Sequence, residues 1–204
     1  MNIVALSGSP TLRSRSTGLL RHALSRLPLP ADRPVKITEI PIRQLPPAAL
    51  LHAVFDDPAI AEARAQVAAA DFVIIATPIY KAAYSGLLKA FLDLLPQDGL
   101  RGKSVLPLAT GGSPAHVLAI DYALKPVLAS MGARHLLDGV FGHDSQVQPD
   151  GGEGWRIDPA LTERLDRSLA EGAAGSLGLL GQPAPGATPG TATQPAPVTE
   201  AVPA

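Results

Sequence analysis

A segment near the N-terminus combines hydroxyl and arginine side chains at the start of an apolar-periodic helix. These side chains are Ser9, Ser14, Arg15, Ser16 and Thr17. The N-terminus of a helix offers free N–H groups and the positive end of the helix dipole, and both favour a bound phosphate. Hydroxyl groups add neutral donors, and a guanidinium adds a charge-assisted one. The segment therefore predicts a cradle for a phosphate monoester. The alternative is a polar loop with ordinary helix capping.

Two familiar nucleotide fingerprints are missing from this segment. It contains neither the GxGxxG of a dinucleotide site nor the GxxxxGK[ST] of a nucleoside triphosphatase. A mononucleotide is therefore the better candidate for the predicted cradle.

A second segment, 77–85, contains a proline and two of the three tyrosines of the chain, Tyr80 and Tyr84. Pro78 stiffens the exit from the preceding apolar run. A rigid loop with an aromatic side chain can pack against a flat ring and present backbone N–H groups to its edge. The alternative is that both tyrosines only cover helix ends.

A third segment places paired glycines after a buried apolar run. Gly111 and Gly112 would let the backbone approach a ligand closely, and a helix predicted from Pro114 adds another N-terminus. The alternative is a simple tight turn. Residues 144–146 follow the last predicted strand, where they could contact a ligand or a neighbouring subunit or cap the loop.

The elements that must position these loops alternate along the chain. Short apolar runs predict strands at 2–6, 35–40, 71–78, 104–112 and 135–141. Helical periodicity predicts helices at 16–27, 58–70, 85–95, 114–131 and 158–172, with Ser85 and Asp158 as caps. Continuous apolar strands are typical of a sheet covered on both faces. The pattern predicts an α/β fold, a flavodoxin-like doubly wound five-stranded parallel sheet of order 2-1-3-4-5 with helices on both faces.

This fold explains why three separate segments belong together. Ligands of open parallel sheets bind outside the carboxyl ends of the strands, at the point where the strand order reverses. The loops after the first, third and fourth predicted strands meet there. We therefore expect one composite site.

Composition excludes several classes of chemistry. The chain has no cysteine, so it lacks thiol nucleophiles, disulfides, and cysteine-ligated zinc or iron–sulfur centres. Its 5 histidines show no ligand spacing, and no metal site is expected. A net charge of −1 gives no reason to expect nucleic acid or an anionic membrane as a partner. Without a signal peptide or a long apolar run, a cytoplasmic location is expected.

The chain divides into two compositional parts. Residues 1–174 form the predicted flavodoxin-like domain, and residues 175–204 are rich in Pro, Ala, Gly and Thr without periodicity. Such a segment buries too little apolar surface to offset its chain entropy. We therefore expect a disordered tail.

Pro126 interrupts the long helical pattern at 114–131. It lacks the N–H that would bond to the carbonyl of Tyr122. The interruption predicts either a kink or a π-bulge near Tyr122.

Four stretches, in chain order, resemble the NADPH-dependent FMN reductases of two-component alkanesulfonate monooxygenase systems. They are SGSPTLRSRSTGLL, ATPIYKAAYSGLLKAFLDLLP, LPLATGGSPAHVLAIDYALKPVL and GVFGHDSQV. The resemblance implies a flavodoxin-like oxidoreductase with FMN and NADPH as its two reactants. Hydride transfer to flavin N5 would give FMNH₂ for a partner monooxygenase that desulfonates alkanesulfonates and so supplies sulfur.

The resemblance also implies roles for individual residues. Ser9, Arg15, Ser16 and Thr17 would hold the FMN phosphate. Pro78, Ile79, Tyr80 and Lys81 would border the isoalloxazine, and Thr110, Gly111 and Gly112 would contact its pyrimidine side. No catalytic side chain is expected, because hydride passes directly between the two ring systems. Thr11 stands where the wider pattern often has Arg, which leaves Arg13 or Arg15 as the nearby cation.

Assembly and cofactor specificity are less constrained. Family members have a π-helix at a subunit interface, so Tyr122 is expected at an oligomer contact near the flavin, in a homodimer or homotetramer. Arg13, Arg43 and Lys81 are the candidates for the NADPH 2′-phosphate. The alternative functions are an FMN-bound quinone, azo or chromate reductase of the same fold and, less favoured, a flavodoxin-type electron carrier.

Overall fold

The computed structural model describes residues 1–29, 34–152 and 154–173. Its central sheet is parallel, in the order β2-β1-β3-β5, with β6 and β7 both paired to the far edge of β5. The strands are β1 Asn2–Ser7, β2 Lys36–Pro41, β3 Phe72–Tyr80, β4 Ala83–Tyr84, β5 Ser104–Gly111, β6 His135–Leu136, β7 Val140–His143, β8 Val147–Pro149 and β9 Trp155–Ile157. In the numbering of the predicted strands the order is 2-1-3-4-5, which confirms the flavodoxin-like prediction.

Six α-helices lie in the described residues. They are α1 Arg15–Ser25, α2 Pro47–Leu51, α3 Pro58–Ala68, α4 Gly86–Leu92, α5 Lys125–Ser130 and α6 Pro159–Ala173. Ser14, Asp57 and Ser85 cap α1, α3 and α4 by accepting bonds from first-turn N–H groups. Asp158 does the same for α6, because its Oδ1 accepts from Ala160 N at 2.9 Å. The predicted caps Ser85 and Asp158 are confirmed.

The sheet separates two hydrophobic layers. On one face, Ile60, Phe91 and Leu128 bring α3, α4 and α5 against the strands. On the other face, Leu20 and Leu165 bring α1 and α6 against them. All five side chains are fully buried. Helices therefore cover both faces, which explains the continuous apolar strands.

Two predicted elements are interrupted. The predicted strand 135–141 is present as the separate strands β6 and β7. The predicted helix 114–131 consists of a 3₁₀ turn Pro114–Val117, a π-helix Ile120–Leu124 and then α5. Lys125 N donates to Ile120 O, the i→i+5 bond of a π-turn. The π-bulge alternative is thus confirmed, since the wider turn precedes a proline that cannot donate.

An antiparallel hairpin of β8 and β9 was not predicted. Each strand has three residues, too few to show a period-2 pattern. Trp155 of β9 lies flat against Gly18 of α1, where a Cβ would overlap the indole. The hairpin therefore packs on the helix that begins at the predicted phosphate cradle.

Within the described ranges, every helix is too short or too polar to cross a lipid bilayer. The predicted boundary between the domain and its tail, at 174–175, lies outside the described residues.

Candidate functional site

The loops that follow β1, β3 and β5 meet at the carboxyl edge of the sheet, as the fold predicts. They enclose a cavity of about 330 Å³. Its lining residues are Ser9, Thr11, Arg13, Ser14, Arg15, Pro78, Ile79, Tyr80, Thr110, Gly111, Gly112 and Asp144. Eight of the eleven predicted ligand residues are in this set. The other three, Ser16, Thr17 and Lys81, lie close by but do not line it.

Hydroxyl groups hold the first loop in a fixed shape. Ser14 Oγ accepts from Thr17 N at 3.3 Å and lies 2.9 Å from Ser16 Oγ. Ser7 Oγ and Thr17 Oγ1 are 2.7 Å apart, which ties the loop to the end of β1. Ser9, Ser14 and Ser16 are all buried. Buried hydroxyls that bond to one another leave little freedom in the cradle.

The first turn of α1 begins inside this cradle. Arg15 and Ser16 are its first two residues. N–H groups in a first turn have no partner within the helix and carry the positive end of its dipole. Thr17 N already donates to Ser14 Oγ, so the N–H groups of Arg15 and Ser16 are the donors that this turn could offer to a phosphate.

The β8–β9 hairpin fixes the position of both arginines of the loop. Arg15 Nε donates to Val147 O at 3.1 Å, and its guanidinium carbon lies 5.9 Å from the centre of the Trp155 ring. Arg13 Nη2 donates to Gly152 O at 2.7 Å, and the guanidinium carbon of Arg13 lies 5.6 Å from the centre of the same ring. These distances are in the range of cation–π contacts. Sequence reasoning missed Trp155, because a lone tryptophan after a glycine-rich loop has no motif around it.

The second loop is a tight hairpin between β3 and β4. Tyr80 pairs with Ala83, and the two residues between them, Lys81 and Ala82, have φ values of 50° and 61°. Two central residues with positive φ are the mark of a type I′ turn, which favours glycine and asparagine. Neither position is glycine, so the turn is strained, as is common beside ligand sites.

The two tyrosines of this loop have different surroundings. Tyr80 lines the cavity and is 48% exposed. Tyr84 packs against the hydrophobic core, and burial raises the pKa of its hydroxyl. Only Tyr80 is therefore placed to contact a ligand in this cavity.

The base of the second loop is tied to the first. Thr77 Oγ1 accepts from Ser85 N at 3.0 Å, and Ser85 Oγ donates to Gly8 O. Ser85 also accepts from Leu88 N at 3.1 Å as the cap of α4. One buried serine thus fixes the spacing between the two loops.

Gly111 and Gly112 form the opposite wall. A Cβ on Gly111 would lie 2.8 Å from His116 Nδ1, so only glycine fits without moving that ring. His143 Nδ1 accepts from Ser145 N at 3.2 Å, which leaves Nε2–H to donate to Gly112 O, 3.2 Å away. The last residue of β7 therefore supports the glycine wall.

Asp144 brings a negative charge to the cavity. Its Oδ2 lies 3.7 Å from Arg15 Nη1, and the two side chains are 40% and 38% exposed. A Cβ on Gly112 would be 3.4 Å from the same oxygen. The carboxylate thus lies between the phosphate cradle and the glycine wall.

A second cavity of about 700 Å³ adjoins the first and shares Arg13 and Ser14 with it. It runs beside α1 and β9, and its other lining side chains include Arg21, His22 and Trp155. Among the residues that the structure describes, none of those lining this cavity carries a carboxylate. Arg13 therefore lies at the junction of two cavities.

Arg43 and Lys81 lie elsewhere. Arg43 Nε donates to Pro10 O at 3.3 Å, which places it beside the first loop. Lys81 occupies the tip of the β3–β4 hairpin. Neither residue is among those that line the larger cavity.

Comparison with known proteins agrees with this geometry. Residues 1–148 match the family model of the NADPH-dependent FMN reductases. The chain is 48% identical to FMN reductase (NADPH) of Pseudomonas putida over 83% of its own length and 85% of that protein. It is also 48% identical to FMN reductase (NADPH) of Escherichia coli K12, over 83% and 86% of the two chains.

Comparison with solved structures agrees with the family match. The apo structure of the NADH:FMN oxidoreductase EMOB superposes with a TM-score of 0.76 at 42% identity, covering 86% of this chain and 89% of that one. The chain belongs to the NADPH-dependent FMN reductase family. It is an oxidoreductase whose reactants are FMN and NADPH, and the family prediction made from the motifs is confirmed.

Proposed function

We propose that this reductase treats FMN as a dissociable substrate and supplies FMNH₂ to a separate monooxygenase. The observation that carries the proposal is the open cavity at the carboxyl edge of the sheet. Tyr80 is the single aromatic side chain among the described residues that line it, so a flat ring would be held mainly by backbone. A site of this kind favours release as well as binding.

The hydroxyl cradle is the proposed site of the FMN phosphate. Ser9 and Arg15 line the cavity, and Ser16 and Thr17 shape the first turn behind them. Backbone N–H groups and the guanidinium would supply the donors. Because Thr11 stands where the wider family pattern often has arginine, Arg15 is the principal cation of the proposed cradle.

The isoalloxazine is assigned to the space between the second and third loops. Pro78, Ile79 and Tyr80 would border one edge, with Lys81 contributing from the strained turn. Thr110, Gly111 and Gly112 would lie along the pyrimidine side. The support is that six of the eight predicted residues lining the cavity lie on these two loops, three on each.

Hydride would pass from nicotinamide C4 to flavin N5, chemistry that the two ring systems supply themselves. The chain contributes position: two rigid walls hold one ring so that the second can stack on it at reacting distance and displace water. We assign no acid or base among the side chains.

Arg13 is the proposed reader of the NADPH 2′-phosphate. It lies at the junction of the two cavities, whereas Arg43 and Lys81 do not line the larger one. The larger cavity has the cationic lining that a phosphorylated ribose requires.

An alkanesulfonate monooxygenase is the proposed partner, with desulfonation and sulfur supply as the pathway and the cytoplasm as the location. The support is the motif resemblance across the four quoted stretches. A reductase with a releasable product is also what such a system needs.

Tyr122 is the proposed centre of a subunit interface in a homodimer or homotetramer. It lies in the π-helix and is 80% exposed in the single chain. Leu118, one turn earlier, is 54% exposed. Adjacent large apolar side chains on a surface are typical of an interaction site.

Ultrafiltration of the purified enzyme after loading with FMN tests the proposal. We expect the flavin to pass the membrane and the retained protein to need added FMN for NADPH oxidation. Retained yellow protein that reduces a quinone or azo dye without added FMN would favour the rival reductase instead. A failure to oxidise NADPH under any flavin condition would favour the electron carrier.

A further inference from the structure

We propose that Asp144 keeps FMN dissociable by competing with the flavin phosphate for Arg15. The inference rests on the proposed phosphate site, and it adds an affinity-setting residue outside the ligand set predicted from the motifs. Asp144 is the first residue after β7, and Arg15 is the first residue of α1. Arg15 and Asp144 are therefore far apart in the sequence, and the fold brings their side chains to the same cavity.

The ion pair is loose. Asp144 Oδ2 and Arg15 Nη1 are 3.7 Å apart, beyond the range of a short charge-assisted hydrogen bond. Both side chains are more than a third exposed. A long, solvated pair of this kind contributes little to folding stability, so stability does not account for its position.

Arg15 is restrained from the opposite side. Its Nε donates to Val147 O, and its guanidinium lies over Trp155. These contacts hold the group near the cradle while Nη1 stays within reach of the carboxylate. A phosphate in the cradle would have to share the guanidinium with Asp144.

Asp144 is also fixed by its backbone. Gln148 Nε2 donates to Asp144 O at 2.5 Å, and His143 ties the same loop to Gly112 O. These contacts keep the backbone of Asp144 beside the glycine wall. The carboxylate therefore stays within reach of the cavity and of Arg15.

Charge counting gives the consequence. Within the described part of the chain, the charged side chains that line the cavity are Arg13, Arg15 and Asp144, a net charge of +1. A phosphate monoester near neutral pH carries roughly −1.5 to −2. Removing the Asp144 charge would raise the lining to +2 and free Arg15 for the phosphate. Asp144 therefore weakens FMN binding, and does so through the phosphate alone.

The variant Asp144→Asn tests this with the full-length enzyme. Flavin fluorescence titrations would give the Kd for FMN and for riboflavin, which has the same ring but no phosphate. We expect FMN to bind roughly tenfold more tightly, because one repulsion between the carboxylate and the phosphate is removed. The Kd for riboflavin should be unchanged. The gain should shrink at high ionic strength.

Two further variants complete the test. Asp138→Asn removes the same charge just before β7, at the other end of the strand, and should leave both affinities unchanged. In an Arg15→Gln background, Asp144→Asn should give a much smaller gain. Riboflavin binding in each variant reports that the cavity is intact.

Several outcomes would overturn the inference. They are weaker or unchanged FMN binding in Asp144→Asn, an equal gain for riboflavin, or a full gain in the Arg15→Gln background. NADPH oxidation with excess FMN, measured on the unmodified enzyme, is a separate readout. Its absence would refute the proposed function, whereas its presence with any of these outcomes would refute only the role of Asp144.

Discussion

At the scale of single residues, Arg13 has the role that is simplest to test, because it is the proposed contact of the NADPH 2′-phosphate. Its guanidinium is already held by Gly152 O and Trp155, so it can meet a phosphate without losing much side-chain freedom. Arg13 lies between the two cavities, whereas the other two candidate cations, Arg43 and Lys81, do not line the larger one.

Replacing Arg13 by Ala should raise KM for NADPH by about tenfold to a hundredfold, the range for losing one charged hydrogen-bonded contact. KM for NADH should change little, because NADH lacks the 2′-phosphate. Steady-state kinetics with both nucleotides measures this. Arg43→Ala and Lys81→Ala are matched controls, and a larger NADPH effect in either one would reassign the role.

His22 gives a pH-dependent prediction. Burial between α1 and α6 lowers its pKa, with Arg26 acting in the same direction and Asp166 against it, and its Nε2 lies 3.0 Å from Thr162 Oγ1. As pH falls through the ordinary value of 6.5, the unfolded chain binds a proton before the folded one does. Stability therefore falls with acidification and levels off below the lowered pKa.

His22→Gln should flatten this part of the stability curve. Urea unfolding at a series of pH values from about 8 to 5 would measure it. The exposed His52, changed to Gln, is the control. An unchanged acid dependence in His22→Gln would contradict the assignment.

At the scale of elements, the π-helix is the feature with the clearest structural cause. Lys125 N reaches back to Ile120 O, and Pro126 then begins the regular turns of α5 without needing to donate. The extra residue of the wide turn leaves Tyr122 on the surface.

Deleting Tyr122 should convert the π-turn to an α-turn and remove the exposed ring from the proposed interface. We expect a smaller assembly in sedimentation or light scattering, and altered flavin retention. Tyr122→Ala keeps the register and separates loss of the ring from loss of the bulge. Unchanged assembly and unchanged flavin retention in the deletion would contradict the interface role.

Sequence reasoning worked best where a pattern spans several residues. The parallel strands, the loops at their carboxyl ends and the helix caps Ser85 and Asp158 all follow from apolar runs and capping chemistry. The β8–β9 hairpin did not, because three-residue strands have no readable period. Consequently the sequence could not predict the contacts of Arg13 and Arg15 with Trp155.

Asp144 shows a second limit. Its sequence neighbours place it after the last strand, but its distance from Arg15 depends on how β7 pairs with β5. Ser16 and Thr17 illustrate the reverse case: their place at the start of a helix follows from local pattern, yet the Ser16 hydroxyl bonds to Ser14 and the Thr17 hydroxyl bonds to Ser7 of β1. Such details depend on tertiary contacts and not on local pattern.

At the scale of the whole molecule, the family match covers 1–148 and the last described helix ends at Ala173. All residues assigned to the site lie before Asp158. The charge and composition of 175–204 give no reason to place a reactant there.

Truncation after about Gly175 should therefore leave FMN-dependent NADPH oxidation within twofold of the full chain, a range set by ordinary surface effects. Kinetics and thermal unfolding of the two forms would check this together. Loss of activity with unchanged unfolding would show that the tail contributes to the site.

Anaerobic titration of the purified enzyme with NADPH, with and without added FMN, tests the central claim most directly. We predict a protein without flavin absorbance that leaves NADPH unchanged on its own and, with FMN present, bleaches equal amounts of FMN and NADPH well beyond the enzyme concentration. A yellow protein that oxidises only as much NADPH as it holds bound flavin, and does not turn over added FMN, would contradict it.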